Sequence, residues 1–435
     1  MYVRVQGLFV SAIVVCCAWT SLLHAQQRPL AIDLKNALEL ARGNSRRLQS
    51  AALDVSSARE DRTQAKAALL PSLNYYNQAI YTQGNRTESG VFIANDGVHV
   101  YSSQLQVHQE IFSPEKLAEY RRTIAAQALA AAKKDIVERG LVATVVESFY
   151  AAIAAQRRHA NSQHALEEAQ HFVDVTQKLE KGGEVARADV LKSQLVLQQR
   201  QRELQDTGLA VDKVRIGLSV LIFPGYRMDF ELADDLDALG ALPSYDEIEA
   251  EACRKSPELR AAEETIRQEE YAAKIARAAY LPTLNFDYFF GINSRQFAIH
   301  DNEGVNRLGS AAQATLNIPV WDWWSKRSKA RQADMKQQQA RLELDLSRSQ
   351  LIANLHSVYI EAQTALAQLD SLKHSMEGAA ESLRLTNLRY EAGEVGVLEV
   401  VDAQSTLAEA RNAHDSGLAR YRFALANIQT LTGTM

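Results

Sequence analysis

Proline is scarce. Of 435 residues only 8 are proline, with none between Glu115 and Phe223 and none after Pro319. Proline interrupts helices, so its absence leaves two stretches of more than a hundred residues free to be helical. Both are rich in Ala, Leu, Gln, Glu, Arg and Lys, which favour the helix. At about 1.5 Å per residue, even sixty such residues would span on the order of 90 Å, too long for a compact globule. Cysteine is equally rare: Cys16 and Cys17 sit in an N-terminal apolar run, and Cys253 alone remains beyond it, which excludes an internal disulfide. Past that run, no stretch approaches the 18 apolar residues of a membrane-spanning helix. A net charge of only −5 gives no reason to expect a nucleic-acid partner.

Catalytic motifs are also missing. There is no phosphate-cradling glycine loop ending in Gly-Lys, no His-Glu-x-x-His and, beyond the N-terminal apolar run, no cysteine pair. His164 and His171 share a helix face but lie about 10 Å apart along it, too far for one metal. With His159, Glu167, Glu168, Asp234 and Asp235 they read as hydrated surface. No catalytic residue, metal or cofactor is expected, and the chain does not read as an enzyme.

The N-terminus has the pattern of an export signal. Arg4 supplies the positive flank, Gly7 to Leu23 the apolar core, and Leu23-His24-Ala25 a cleavage site, giving a signal peptide over 1–25. Cys16 follows Val15 rather than a small residue, which argues against lipid attachment.

What the chain does have, it has twice. Ala67-Ala68-Leu69-Leu70-Pro71-Ser72-Leu73-Asn74-Tyr75 returns 211 residues later as Ala278-Ala279-Tyr280-Leu281-Pro282-Thr283-Leu284-Asn285-Phe286. In each copy a helix-favouring run meets a proline and an alternating run begins, so Pro71 and Pro282 read as helix-to-strand joints. Alternation covers Leu73, Tyr75 and Tyr81, resumes over Tyr101, Ser103, Leu105 and Val107, and ends at Phe112-Ser113-Pro114. In the second copy Leu284, Phe286, Tyr288, Phe290 and Ile292 share a face, with Asn285 and Asp287 opposite. The return strand places Ala312, Ala314, Leu316, Ile318 and Val320 on one face and Gln313, Thr315 and Asn317 on the other. These hairpins have the length of transmembrane β-strands, about 9–11 residues. Pro319 closes the second, and Trp321, Trp323 and Trp324 follow where an interfacial aromatic belt would sit.

Long helices come next. Leu351, Leu355, Val358, Ala362, Ala365, Leu369, Leu372 and Met376 form a heptad seam, and Val142, Val146, Phe149 and Ile153 form its counterpart, predicting helix-on-helix packing. Each long helix is punctuated once, at Gly182-Gly183-Glu184 and at Ala392-Gly393-Glu394, where glycine can end a helix left-handed. The chain therefore divides into a signal peptide (1–25), a first repeat (26–223), an intervening segment (224–242) and a second repeat (243–435). On spacing alone, Glu399 and Asp402 share a helix face that could simply be hydrated.

This duplicated order of helix, two strands, long helix, tip and returning helix resembles the TolC-type outer-membrane efflux family. The carriers are the two Leu-Pro-x-Leu joints and the two tips followed by Val-x-x-x-(Asp/Glu)-Val. The resemblance implies a mainly α fold with a membrane β-barrel portion. In it an antiparallel coiled-coil tunnel carries four transmembrane strands per chain, and a homotrimer closes a 12-stranded barrel. It implies an outer-membrane duct with its helices in the periplasm, exporting drugs, metals or proteins when docked to an adaptor protein and an inner-membrane pump, with outer-membrane lipid around it. It places Glu399 and Asp402 in an acidic ring at the periplasmic aperture, and Tyr390 and Asp189 in a hydrogen bond constraining the tip hairpins. The family's second constraint uses an arginine where this chain has Val395, and the tips depart from the usual Val-Gly-Leu or Val-Gly-Thr. A periplasmic coiled-coil scaffold or adaptor that never enters the membrane is the competing reading.

Overall fold

The computed structural model describes residues 30–81, 99–225, 227–294, 298–300 and 303–434. The expected signal peptide and the first hairpin's tip lie outside them. In chain order the elements are β1 (Leu30–Ile32), α1 (Leu34–Asn44), α2 (Arg46–Ala67), β2 (Ser72–Tyr81), β3 (His99–Phe112), α3 (Pro114–Gly182) and α4 (Arg187–Ile222). They continue with β4 (Phe230–Leu232), α5 (Tyr245–Lys255), α6 (Pro257–Ala278), β5 (Thr283–Ser294), β6 (Leu308–Asn317), α7 (Ser325–Glu391) and α8 (Val397–Thr432). The two proline-free stretches are the two longest helices, α3 with 69 residues and α7 with 67, each followed by a 36-residue return.

The chain forms two compact units. One comprises residues up to Arg46, Glu138–Ala252 and those from Asn354 onward. Its core gathers Val145, Val146, Phe149 and Ile153 of α3 with Leu218 and Ile222 of α4 and Tyr421 and Leu425 of α8, all buried. The heptad seam is buried as expected at Leu355, Ala362, Ala365 and Leu369. Its small residues let helices close in: a Cβ on Gly417 of α8 would press on Leu372 and Leu369 of α7. A parallel pairing of β1 with β4 pins the inter-repeat segment to the start of the chain. Strands of three residues are too short to show an alternation, so this sheet was invisible in the sequence.

The other unit comprises Arg47–Val137 and Cys253–Ala353 and carries an antiparallel sheet in the order β2-β3-β5-β6. Pro71 and Pro282 each lie between a helix end and a strand, and Pro114 opens α3, where a missing amide costs nothing. The register aligns Leu73, Val107, Tyr288 and Ala312 across one face, with Tyr75, Leu105, Phe290 and Ser310 in the next row. The other face aligns Ser72, His108, Asp287 and Gln313. Two details differ from the alternation expected: β6 ends at Asn317, so Ile318 and Val320 lie beyond it, because Pro319 offers no ladder amide. A bulge between Glu110 and Phe112 also ends the regular pairing of β3 next to the α3 joint.

Candidate functional site

The tips are built alike from local chemistry. After α3, Gly183 donates its amide to Glu180 O and Glu184 to Leu179 O, both at 2.9 Å. After α7, Gly393 donates to Tyr390 O at 3.0 Å and Glu394 to Arg389 O at 2.9 Å. This is the Schellman closure, which needs a left-handed residue; Gly183 has φ +77° and Gly393 φ +74°. Both glycines face open space, and Gly182, Glu184, Ala392 and Glu394 are exposed around them. Leu191, Leu195, Leu388 and Leu398 flank the tips and are also exposed.

Glu399 and Asp402 lie in the first two turns of α8, both exposed, and neither carboxylate is engaged by a hydrogen bond or ion pair among the described residues. Tyr390 behaves otherwise. It is 3% exposed, packs edge-on against Phe172 with ring centroids 5.1 Å apart, and its hydroxyl finds no hydrogen-bond partner. Burial raises its pKa; the neighbouring Thr176 hydroxyl opposes that rise and the Asp189 carboxylate adds to it. Thr176 is already committed, donating to Phe172 O at 2.7 Å. The hydrogen bond expected between Tyr390 and Asp189 is therefore not made here: the carboxylate stands close enough to act through charge, and its ion-pair partner is Lys192 at 3.8 Å. Val395, in the arginine's expected place, packs against the apolar cluster of Val397, Val400 and Tyr390.

At the sheet, Asp287 accepts hydrogen bonds from Gln106 at 3.2 Å and pairs with His108 at 2.7 Å, which makes that face polar. The opposite face leaves Leu73, Tyr75, Tyr288 and Phe290 exposed. Below β6, Trp321, Trp323 and Trp324 form an exposed cluster with Trp321 edge-on to both others.

One constellation was missed from the sequence. Asp234 and Asp235, expected to face solvent, are engaged. Arg157 of α3 donates to Asp234 at 2.6 and 2.9 Å, to Asp237 at 2.7 and 3.3 Å and to Asp415 at 3.3 Å. Asp235 is held by Arg422 and Tyr150. Burial alone would lower the Arg157 pKa, but the bonds to Asp234 and Asp237 outweigh it and raise it; the same bond holds Asp237 below its ordinary value. Burial pushes the Tyr150 phenol up to about 12. The partners lie between 77 and 258 residues apart in sequence, so only the acidic composition of the segment hinted at them. No cluster of His, Cys, Asp and Glu able to hold a metal occurs among the described residues, and no helix there is long and apolar enough to cross a membrane.

The family model described as outer membrane efflux protein matches the chain twice, over residues 37–221 and 250–434. The chain belongs to the outer membrane efflux protein family. Its place is therefore the outer membrane, with a periplasmic helical part, and its work is export. Among relatives, it is 22% identical to the alkaline protease secretion protein AprF of Pseudomonas aeruginosa, covering 95% of this chain and 87% of that one. It is 23% identical to the cobalt-zinc-cadmium resistance protein CzcC of Cupriavidus metallidurans, covering 92% and 90%. Among solved structures, CusC superposes with a TM-score of 0.82 at 17% identity, covering 94% of each chain. The open state of the MtrE outer membrane channel of Neisseria gonorrhoeae gives 0.79 at 18%, covering 92% and 88%. The long-helix, four-strand fold expected from the sequence is thus the fold of this family's channels, and the scaffold reading is set aside.

Proposed function

We propose that three copies of this efflux protein close one 12-stranded barrel over a helical tunnel and pass cargo handed on by an adaptor protein and an inner-membrane pump. One observation carries the reading. The sheet has two open edges, β2 and β6, an apolar face and a polar one. Lipid tolerates no open edge, so a membrane-inserted sheet of four strands must find further strands. The polar row of His108, Asp287 and Gln313 then lines the lumen, and Trp321, Trp323 and Trp324 stand at the bilayer boundary. The signal peptide (1–25) is removed on export, and residues 26–223 and 243–435 act as two repeats joined by 224–242.

Within this assembly the tips around Gly183 and Gly393 meet the adaptor, helped by the exposed leucines beside them. Glu399 and Asp402 contribute six carboxylates to the aperture, and Tyr390 with Asp189 restrains the tip hairpins through charge and packing. The chain supplies a passage and no chemistry of its own; energy comes from the pump. Relatives named for protease secretion, for metal resistance and for pyoverdine export leave the cargo class open among proteins, metals and small molecules. The test is extraction and cross-linking of intact cells. The protein should need detergent for release, and cross-links among its own copies should stop at trimers, with any larger species containing adaptor or pump. Release by osmotic shock, or a ladder past three, contradicts the reading.

A further inference from the structure

The two strand-to-helix joints are duplicates in sequence position but not in chemistry. At the first, Lys116 pairs with Glu110 at 2.5 Å and Arg122 with Glu119 at 2.6 Å, leaving Arg121 as the one cation there without an ion pair among the described residues. At the second, α7 opens with Lys326, Arg327, Lys329 and Arg331 in two turns and has no acidic residue in its first turn. None of the four forms an ion pair among the described residues. The next acid along the helix, Asp334, is taken by Arg277 at 2.6 Å. Cations near a helix N-terminus oppose its dipole, so this cluster is unfavourable unless an anion arrives.

The tryptophans beside it point the same way. Trp323 and Trp324 are consecutive non-glycine residues in the left-handed region, with φ 54° and 68°. Such a backbone is strained for a bulky side chain. It presents rings that remain 81% and 63% exposed. The Arg327 guanidinium lies over the Trp324 ring, 5.6 Å from its centre. A cleft of about 240 Å³ opens among Tyr280, Val320, Trp321, Asp322, Trp324 and Arg327. Asp322 also lines this cleft; it caps α7, accepting the Lys326 amide at 2.7 Å, so its single negative charge is held at the helix N-terminus and is outnumbered by the four cations. This surface is continuous with the apolar face of β6 through Leu316, Ile318 and Val320, all exposed.

We infer that the second joint is a seat for anionic phospholipid in the leaflet that meets the helices. The rings enter the headgroup boundary, the cleft takes the glycerol region, and the unpaired cations bind the phosphate. A free anion would use the charges but has no use for three exposed tryptophans, and a lipid uses both. The inference rests on the bilayer placement of the sheet, which the trimer's mass and detergent requirement report separately.

The experiment is native mass spectrometry of the detergent-purified trimer with phosphatidylglycerol or phosphatidylcholine added. The wild type should retain phosphatidylglycerol preferentially. Neutralising Arg327, Lys329 and Arg331 together to Gln should weaken that retention on the order of 100-fold, about fivefold per cation. The equally neutralising set Arg341→Gln, Arg348→Gln and Lys373→Gln, exposed farther along the same helix, should leave it unchanged. Trp323→Gly with Trp324→Gly keeps the backbone turn and should reduce retention of both lipids. Equal retention of the two lipids by the wild type would overturn the inference. So would an unaltered triple variant, an equal loss in the distant set, unaltered retention without the two rings, or displacement by millimolar inorganic phosphate.

Discussion

A glycine can be indispensable for its backbone or for its missing side chain, and this chain has both kinds. At Gly183 and Gly393 a Cβ would meet nothing within 4 Å, so any cost of substitution comes from the positive φ alone. That cost is about 1–2 kcal/mol per residue, and asparagine bears it best. Gly183→Val with Gly393→Val should therefore abolish export while leaving trimers assembled, whereas the same pair changed to Asn should export. Undiminished export by the valine pair, measured as cargo in the medium, would remove the tips from the docking surface. Gly291 is the other kind. It pairs with Gly309 across β5 and β6, yet its Cβ would run into the backbone of Ser103 and Gln104 on β3. Gly309 faces open space. Gly291→Val should cut the yield of membrane-inserted trimer sharply and Gly309→Val should not.

At the scale of elements, the sheet and the inter-repeat segment make separate demands. A charge on the lipid face of a barrel costs about 2–4 kcal/mol near the midplane. Tyr288→Arg should thus lower trimer yield in the membrane, while Asp287→Asn, on the polar face beside His108, should not. The segment carrying Asp234 and Asp237 is clasped by Arg157. Arg157→Ala should loosen it by about 1–2 kcal/mol, the low end for bonds to charged groups because Asp237 is largely exposed. Hydrogen exchange across residues 230–240 would register this. The pH dependence follows from Asp237, whose folded pKa is depressed, chiefly by the Arg157 hydrogen bond. Its contribution is complete above the unfolded value, near pH 4, and is lost as pH falls through the folded one. Relative to the intrinsic exchange rate at each pH, protection should fall below about pH 4 in the wild type and be less pH-dependent in Arg157→Ala. The long helices, strands, joints and tips were legible because each rests on local signals: absent proline, a period of two, a heptad seam, a glycine. The clasp was not, since Arg157 and its carboxylates meet only through folding. Nor was the unpaired Tyr390 hydroxyl, which depends on where Phe172 and Thr176 sit.

For the whole molecule, one chain offers a half-made object: among the described residues, one unit carries an amphipathic sheet with unpaired edges, and the other carries helices whose tips expose leucine. On the proposed reading three chains complete it, and the six carboxylates of Glu399 and Asp402 would then meet at one constriction. Unit charges about 6 Å apart repel by roughly 0.7 kcal/mol in water, and by more in a narrow neck, so a multivalent cation relieves them. The direct measurement is single-channel conductance of the purified trimer in a planar bilayer. The account predicts discrete conductance steps blocked by a trivalent cation from the tip side, with block lost in Glu399→Ala, Asp402→Ala. Absence of steps from inserted trimers would contradict the duct, and block that persists in the double variant would place the acidic ring elsewhere.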